Sequence, residues 1–222
     1  LYCFVVFVFL FYGLFTQLAA AFSGTAFAWL YFALYALMSF GLMFLGSVFT
    51  AKAQLFEARD NELLLSMPVP PSYILGSRMV SLVLMNAVFQ LVVAIPALAA
   101  WIMNGSAGAA GIAAFVLLLP AINLFTMAVT CLFAWLLSLA TSRMRNKNVL
   151  TMVCSLVFLA AYFLAINRAN EYVARLAAQG AQIADRLGGV SPLVWLGEAM
   201  VSGNVPALLG SLAMLLIPFV LV

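Results

Sequence analysis

The stretch from Lys52 to Arg78 reads KAQLFEARDNELLLSMPVPPSYILGSR. It carries Glu57, Asp60 and Glu62, three of the six acidic residues in a chain of 222, together with Lys52, Arg59 and Arg78. Long apolar runs flank it on both sides. A charged island between two such runs lies in water or against another protein, so the runs read as membrane spans and the island as their connection. Its internal grammar is helical. Asp60 or Asn61 can cap a helix start, and Glu62 in the first turn complements the helix dipole. Leu63, Leu64 and Met67 then form an apolar stripe about two turns long. Pro68, Pro70 and Pro71 end it, since proline lacks the N–H that a helix interior needs, and Ser72 can cap the next helix. A short helix with exposed leucines is marginal alone in water. It needs a groove to bind.

The composition agrees. The chain is 68% hydrophobic and 7% charged, with mean hydropathy +1.22, whereas a soluble domain carries roughly 25% charged residues. The expected fold is all-α: a polytopic membrane helix bundle forming one transmembrane domain over residues 1–222. The chain begins and ends inside apolar runs, from Leu1 and up to Val222, which reads as a fragment of a longer protein. Cys3, Cys131 and Cys154 all fall within apolar runs without paired spacing, and there is no His. Neither a disulfide framework nor a metal site is expected. A net charge of +3, dispersed along the chain, makes no case for nucleic acid.

A spanning helix needs about 20 mainly apolar residues. Six stretches qualify: Leu1–Phe22, Ala26–Ala51, Tyr73–Trp101, Gly111–Leu139, Val149–Ile166, and Pro206 onward. Ser23-Gly24-Thr25 and Asn104–Gly108 make short connections, and Ser142–Asn148 is a short basic loop. The segment 168–204 is more polar. Tyr172, Val173, Leu176, Ile183 and Leu187 recur at helical spacing opposite Arg168, Glu171, Arg175, Gln182 and Arg186. Gly188-Gly189 ends that helix, and Ser191-Pro192 opens another carrying Trp195 and Glu198. An external amphipathic helical pair is expected there. Six of the nine basic residues, Lys52, Arg59, Arg78, Arg143, Arg145 and Lys147, fall on one side of such a bundle. The positive-inside rule places that side, and both chain ends, in the cytoplasm. Trp29 and Trp101 would then lie at the outer interface. The aromatic-rich first span is expected to face lipid.

Within the spans the chemistry is sparse, because no acidic or basic residue lies mid-span. Ion-coupled carriers usually place one there. The in-span amides include Asn86, Gln90 and Asn123. Asn86 and Gln90 are four apart and share a helix face. They fit a polar translocation path, or interhelical hydrogen bonding, which is the commoner role. Gly46 with Thr50, and Ser47 with Ala51, offer a small-residue packing face.

The run Leu55-Phe56, then Asp60-Asn61-Glu62-Leu63-Leu64-Leu65-Ser66-Met67-Pro68-Val69-Pro70, then Tyr73-Ile74-Leu75 and Arg78, resembles the cytoplasmic loop of type-2 ABC exporter permeases. It looks closest to a group of long bacterial ABC transporter permeases. The shared pattern is an acidic residue, Glu-Leu-Leu, then Leu or Met with Pro, and an aliphatic return to a basic residue. The motif covers Leu55 to Arg78, and the architecture covers the whole chain. The resemblance implies that 52–78 holds a coupling helix docking on a cytosolic ATPase subunit. Glu57, Arg59, Asp60, Asn61 and Glu62 would orient it, and Leu63, Leu64 and Met67 would fill the groove. It also implies a plasma-membrane permease that works with a second permease half or a second copy, with membrane lipid around it. ATP would sit in the partner subunit, with no cofactor held here. Two other classes compete: a non-transporting anchor or scaffold recruiting a cytosolic partner, and a membrane enzyme whose catalytic residues lie elsewhere. An ATPase that co-purifies and changes its turnover separates the first reading from the others.

Overall fold

A computed structural model describes residues 2–25, 27–56, 70–104, 108–142 and 191–221, with 152, 156, 157, 159, 160, 163, 164 and 168 between the last two stretches. The apolar runs form helices. These are α1 (Tyr2–Phe22), α2 (Ala28–Ala51), α3 (Pro71–Met103), α4 (Ala109–Ser142), α5 (Ser191–Ser202) and α6 (Val205–Leu221). A π-helical turn, Lys52–Phe56, continues α2 directly. Among the described residues there is no strand. The expected coupling helix, the basic loop 143–147, most of the span 149–166 and the amphipathic helix before Gly188 lie outside the described residues.

The helix ends follow local chemistry. Pro71 occupies the first position of α3, where a missing N–H costs nothing. Gly24, at φ 73°, turns the chain between α1 and α2, and Gly203, at φ 67°, turns it between α5 and α6. Both angles lie in the left-handed region that glycine enters without steric cost.

α2 is the hub. It packs against α3, α4 and α5 and touches α1, while α1 rests mainly on α3. Four consecutive residues near its start, Leu30, Tyr31, Phe32 and Ala33, are all buried. A helix buried on successive residues is enclosed on every side at that level. The enclosure is aromatic. Tyr31 stacks on Trp101 at 4.8 Å between ring centres, Phe32 meets Trp101 edge-on at 5.0 Å, and Tyr35 packs on Phe115 at 4.9 Å. Such pairs add about 0.5–1.5 kcal/mol each beyond their burial. Trp101 is therefore a core residue only 3% exposed, not a ring turned toward an interface. α1 differs from expectation too. Phe11, Phe15, Leu18 and Phe22 face the core, and the exposed residues are Val6, Phe9 and Leu10 on the other side together with Phe7 near the start of the helix.

The outer surfaces of α3 and α4 identify the surroundings. Leu84, Val88, Leu91, Ile95 and Ile102 form an exposed apolar stripe along α3. On α4, Val116, Leu117, Leu132, Phe133, Leu136 and Leu139 are exposed as well. In water such patches are avoided, whereas lipid accepts them. Among the described residues, three helices are long and apolar enough to cross a membrane: Ala28–Leu55, Ser72–Met103 and Ala109–Leu139. Two apolar segments, Val6–Phe22 and Val205–Phe219, are shorter. The chain is a helical membrane bundle.

α5 has 12 residues and reaches only about 18 Å, well short of a hydrocarbon core of about 30 Å. It is wedged among the longer helices. Gly197 lies so close to the Trp29 backbone that a Cβ there would stand 2.8 Å from the Trp29 carbonyl carbon. Gly111 of α4 meets the Met200 carbonyl in the same way, and Gly210 of α6 receives the face of the Trp195 ring. Leu196, Ala199 and Met200 are buried in this wedge.

Candidate functional site

Tyr35, Ser39, Met43 and Ser47 recur every four residues and so share one face of α2. All four are buried. On this face Tyr35 lies beside Gln90 of α3, and Ser47 beside Thr130 of α4. Asn86, Gln90 and Asn123 are buried at 1%, 4% and 4% exposure. The result is a polar seam enclosed where α2, α3 and α4 meet.

Part of the seam is cross-braced. Gln90 Nε2 of α3 donates to the Leu119 carbonyl of α4 at 2.8 Å. In the opposite sense, Asn123 Nδ2 of α4 donates to the Val83 carbonyl of α3 at 3.3 Å. The accepting Leu119 stands immediately before Pro120, and Tyr31 similarly donates to the carbonyl of Ala97, immediately after Pro96, at 2.7 Å. Lower in the seam, Ser47 donates to the Met43 carbonyl at 2.7 Å and its hydroxyl lies 3.3 Å from that of Thr130. Thr126 folds back to the Ile122 carbonyl. These contacts are the packing role foreseen for such amides, and they hold Gln90 and one half of Asn123.

Asn86 is different. It lies between Val83 and Gln90 on the braced side of α3, yet neither Nδ2 nor Oδ1 has a hydrogen-bond partner. Swapping the amide nitrogen and oxygen changes nothing, since both ends are orphaned. Asn123 Oδ1, Ser39 Oγ and the Tyr35 hydroxyl are also unpartnered. The Tyr35 hydroxyl sits beside Ser39 and Gln90 without meeting hydrogen-bond geometry to either. A buried polar group left unpaired costs roughly 1–3 kcal/mol. Several in one place concentrate that cost in the middle of the bundle. The seam offers neutral donors and acceptors and no Asp, Glu, Lys, Arg or His side chain. Among the described residues, no group of three His, Cys, Asp or Glu side chains could hold a metal.

The second feature is the base of the Lys52–Arg78 island. The π-turn leaves carbonyls without the usual helical donors. Arg78 Nη1 reaches from α3 and donates to one of them, the Gln54 carbonyl, at 2.7 Å. Lys52 is 3% exposed at the same turn. The two stems of the island are thus tied together across its mouth. Ala51, Leu82 and Ala134 pack beneath the tie, with Leu55 against them. Of the expected contact residues, Glu57, Arg59, Asp60, Asn61, Glu62, Leu63, Leu64 and Met67 lie outside the described residues. The tie itself was not foreseen, although Arg78 and Gln54 both stand in the sequence at the island's edges.

Asn86, Gln90 and Asn123 do come together. Tyr35 and Ser39 were missed, and their four-residue spacing with Ser47 was the available signal. Compared with known proteins, the chain matches no family model, no curated protein and no solved structure.

Proposed function

We propose that this chain is the membrane-spanning permease part of an ATP-driven exporter of the type-2 ABC kind. In this reading, ATP is hydrolysed by a separate cytosolic subunit, and the 52–78 island docks on that subunit. The bundle has six spans in the plasma membrane, with the island, the 143–147 basic loop and both ends of the chain on the cytoplasmic side. A second permease half or a second copy completes the path. The polar seam around Asn86, Gln90 and Asn123 is the candidate path within this half.

The observation that carries the reading is the tied mouth of the island. Arg78 of α3 holds the turn that ends α2. A push on anything between the two stems would be passed to both helices together instead of being absorbed by a slack loop. An ordinary connector has no need of such a tie. The residue pattern Leu55 to Arg78, with its resemblance to the exporter coupling loop, supports the same role.

The test is assembly. The chain is co-purified with a candidate ATPase subunit, and yield and ATP turnover are compared across variants. Burying a leucine side chain contributes about 1.5–3 kcal/mol, while an exposed ion pair contributes at most about 1. Leu63→Ala or Leu64→Ala should therefore lower complex yield, or uncouple ATP turnover from transport, while membrane insertion stays normal. Arg59→Ala should have a smaller effect that fades in high salt. Leucine variants with full yield and full coupled turnover would reduce the island to a connector.

A further inference from the structure

We propose that Asn86 is the cargo-recognition residue of the seam, and that the cargo is an apolar molecule carrying an uncharged hydrogen-bonding group, a hydroxyl or a carboxamide. This rests on the permease reading and adds the chemistry of what is moved.

The argument begins with the division of labour among the three amides. Gln90 and Asn123 each spend a donor on the facing helix. Asn86 lies between these two braces on the same helix, is 1% exposed, and gives neither its donor nor its acceptor to the protein. Packing therefore has no use for it as a polar residue. Leucine has nearly the same size and would fill the space without an orphaned amide. A ligand that comes and goes does have a use for it. The unpartnered groups on the three helices include both kinds: a donor in Asn86 Nδ2, an acceptor in Asn86 Oδ1 and in Asn123 Oδ1, and hydroxyls on Ser39 and Tyr35 that do either. A bare cation would satisfy only the oxygens. A hydroxyl or carboxamide satisfies both kinds.

The charge of the cargo follows from the walls. From Ala28 to Ala51, from Met79 to Met103 and from Ala109 to Ser142 the three helices carry no Asp, Glu, Lys, Arg or His. An ionised group entering the seam would meet no counter-charge and would lose its hydration, which low-dielectric surroundings do not forgive. The turns on either side are apolar and fully buried, with Met43 on α2, Leu82 and Val93 on α3, and Leu118 and Ile122 on α4. The rest of the cargo is accordingly apolar. Neutral lipids with a free hydroxyl belong to this class.

The experiment uses the full chain in phosphatidylcholine nanodiscs. One arm contains a diazirine-bearing diacylglycerol, and a second contains a diazirine-bearing fatty acid, ionised at pH 8. Cross-linked peptides are mapped by mass spectrometry, and thermal unfolding is followed in parallel. The diacylglycerol probe should mark peptides of α2, α3 and α4 around the seam, and unlabelled diacylglycerol should compete with it. The fatty-acid probe should not mark them. Asn86→Leu should cut the seam cross-links about tenfold, the equivalent of one to two net hydrogen bonds, while the unfolding temperature holds or rises. Asn86→Ser, which keeps a donor and an acceptor, should retain part of the cross-linking. An Asn86→Leu variant that fails to fold or unfolds at lower temperature would mean that packing uses the amide after all, and the proposal falls. It falls equally if Asn86→Leu keeps full cross-linking. Seam residues that react as cysteines with small thiol reagents but capture neither lipid probe would make the seam a water site only. None of these readouts needs the ATPase subunit, so a failure here is distinct from a failure of the coupling test.

Discussion

Removing the Arg78 side-chain bond should loosen the mouth of the island and leave the bundle intact. The bond is a single charge-assisted contact at 2.7 Å from Nη1 to the Gln54 carbonyl, and Arg78 is half-buried. Hydrogen bonds to charged groups contribute roughly 1.5–3 kcal/mol, and partial exposure places this one near the lower end. In Arg78→Met the apolar stem survives but the donor is lost, so the loss is about 1.5 kcal/mol of local closing free energy. That is about a tenfold rise in the population of the open turn. The assay is hydrogen exchange of the chain in nanodiscs, read by mass spectrometry on the peptide covering 48–56. Exchange there should quicken about tenfold, while the peptides around Tyr31 and Trp101 keep their rates, because opening is local. Arg78→Lys retains a donor without the planar fork. Since only one guanidinium nitrogen is used, it should recover most of the protection. Unchanged exchange at 48–56 in Arg78→Met would refute the tie. Equal quickening across the whole bundle would show that the bond supports global stability instead.

Two other outcomes are expected. Gly197→Ala should destabilise the bundle by about 1–3 kcal/mol, because its Cβ meets the fixed Trp29 backbone, whereas Gly210→Ala meets the movable Trp195 ring and should cost less; thermal unfolding of both in detergent checks the order. For topology, single cysteines at Ser106 and Asn146, in a background lacking Cys3, Cys131 and Cys154, should give labelling of 106 alone by an impermeant thiol reagent on intact cells, and labelling of 146 alone would invert the bundle.

What was legible followed from length and punctuation. Uninterrupted apolar runs located α2, α3 and α4, and Ser191-Pro192 opened α5, but α3 begins at Pro71 with Pro70 in the cap position, so Ser72 is inside the helix and not its expected cap. The small-residue face of α2 was legible as well. Gly46 lies against the Phe89 ring, Ser47 meets Thr130, and Ala51 is fully buried. What escaped was orientation. In a helix apolar all round, the pattern does not distinguish a lipid face from a protein face, because both solvents are apolar. Hence Trp101 read as an interfacial ring and sits in the core, while Trp135, one residue from the buried Ala134, and Trp195 are exposed. α1 read as wholly lipid-facing for the same reason. The site was half legible: the amides of α3 share a face by spacing alone. Which of them braces and which stays unpaired depends on the facing carbonyls of Leu119 and Val83. No count along one helix reveals those.

In the permease reading, the hub helix has the geometry of a lever. From Ala28 to Leu55 it is one continuous span of 28 residues, about 42 Å of rod at 1.5 Å per residue. One end is pinned by the backbone contact between Trp29 and Gly197, where not even a methyl group fits. The other end carries the π-turn that Arg78 grips. With the pivot at Trp29, a swing of about ten degrees carries the far end through about 7 Å on a rod of that length. Ser39, less than halfway along, moves less than half as far. Displacement is therefore largest at the island and is geared down at the seam. In the permease reading, a large stroke at the island would arrive at Ser39 as a small one.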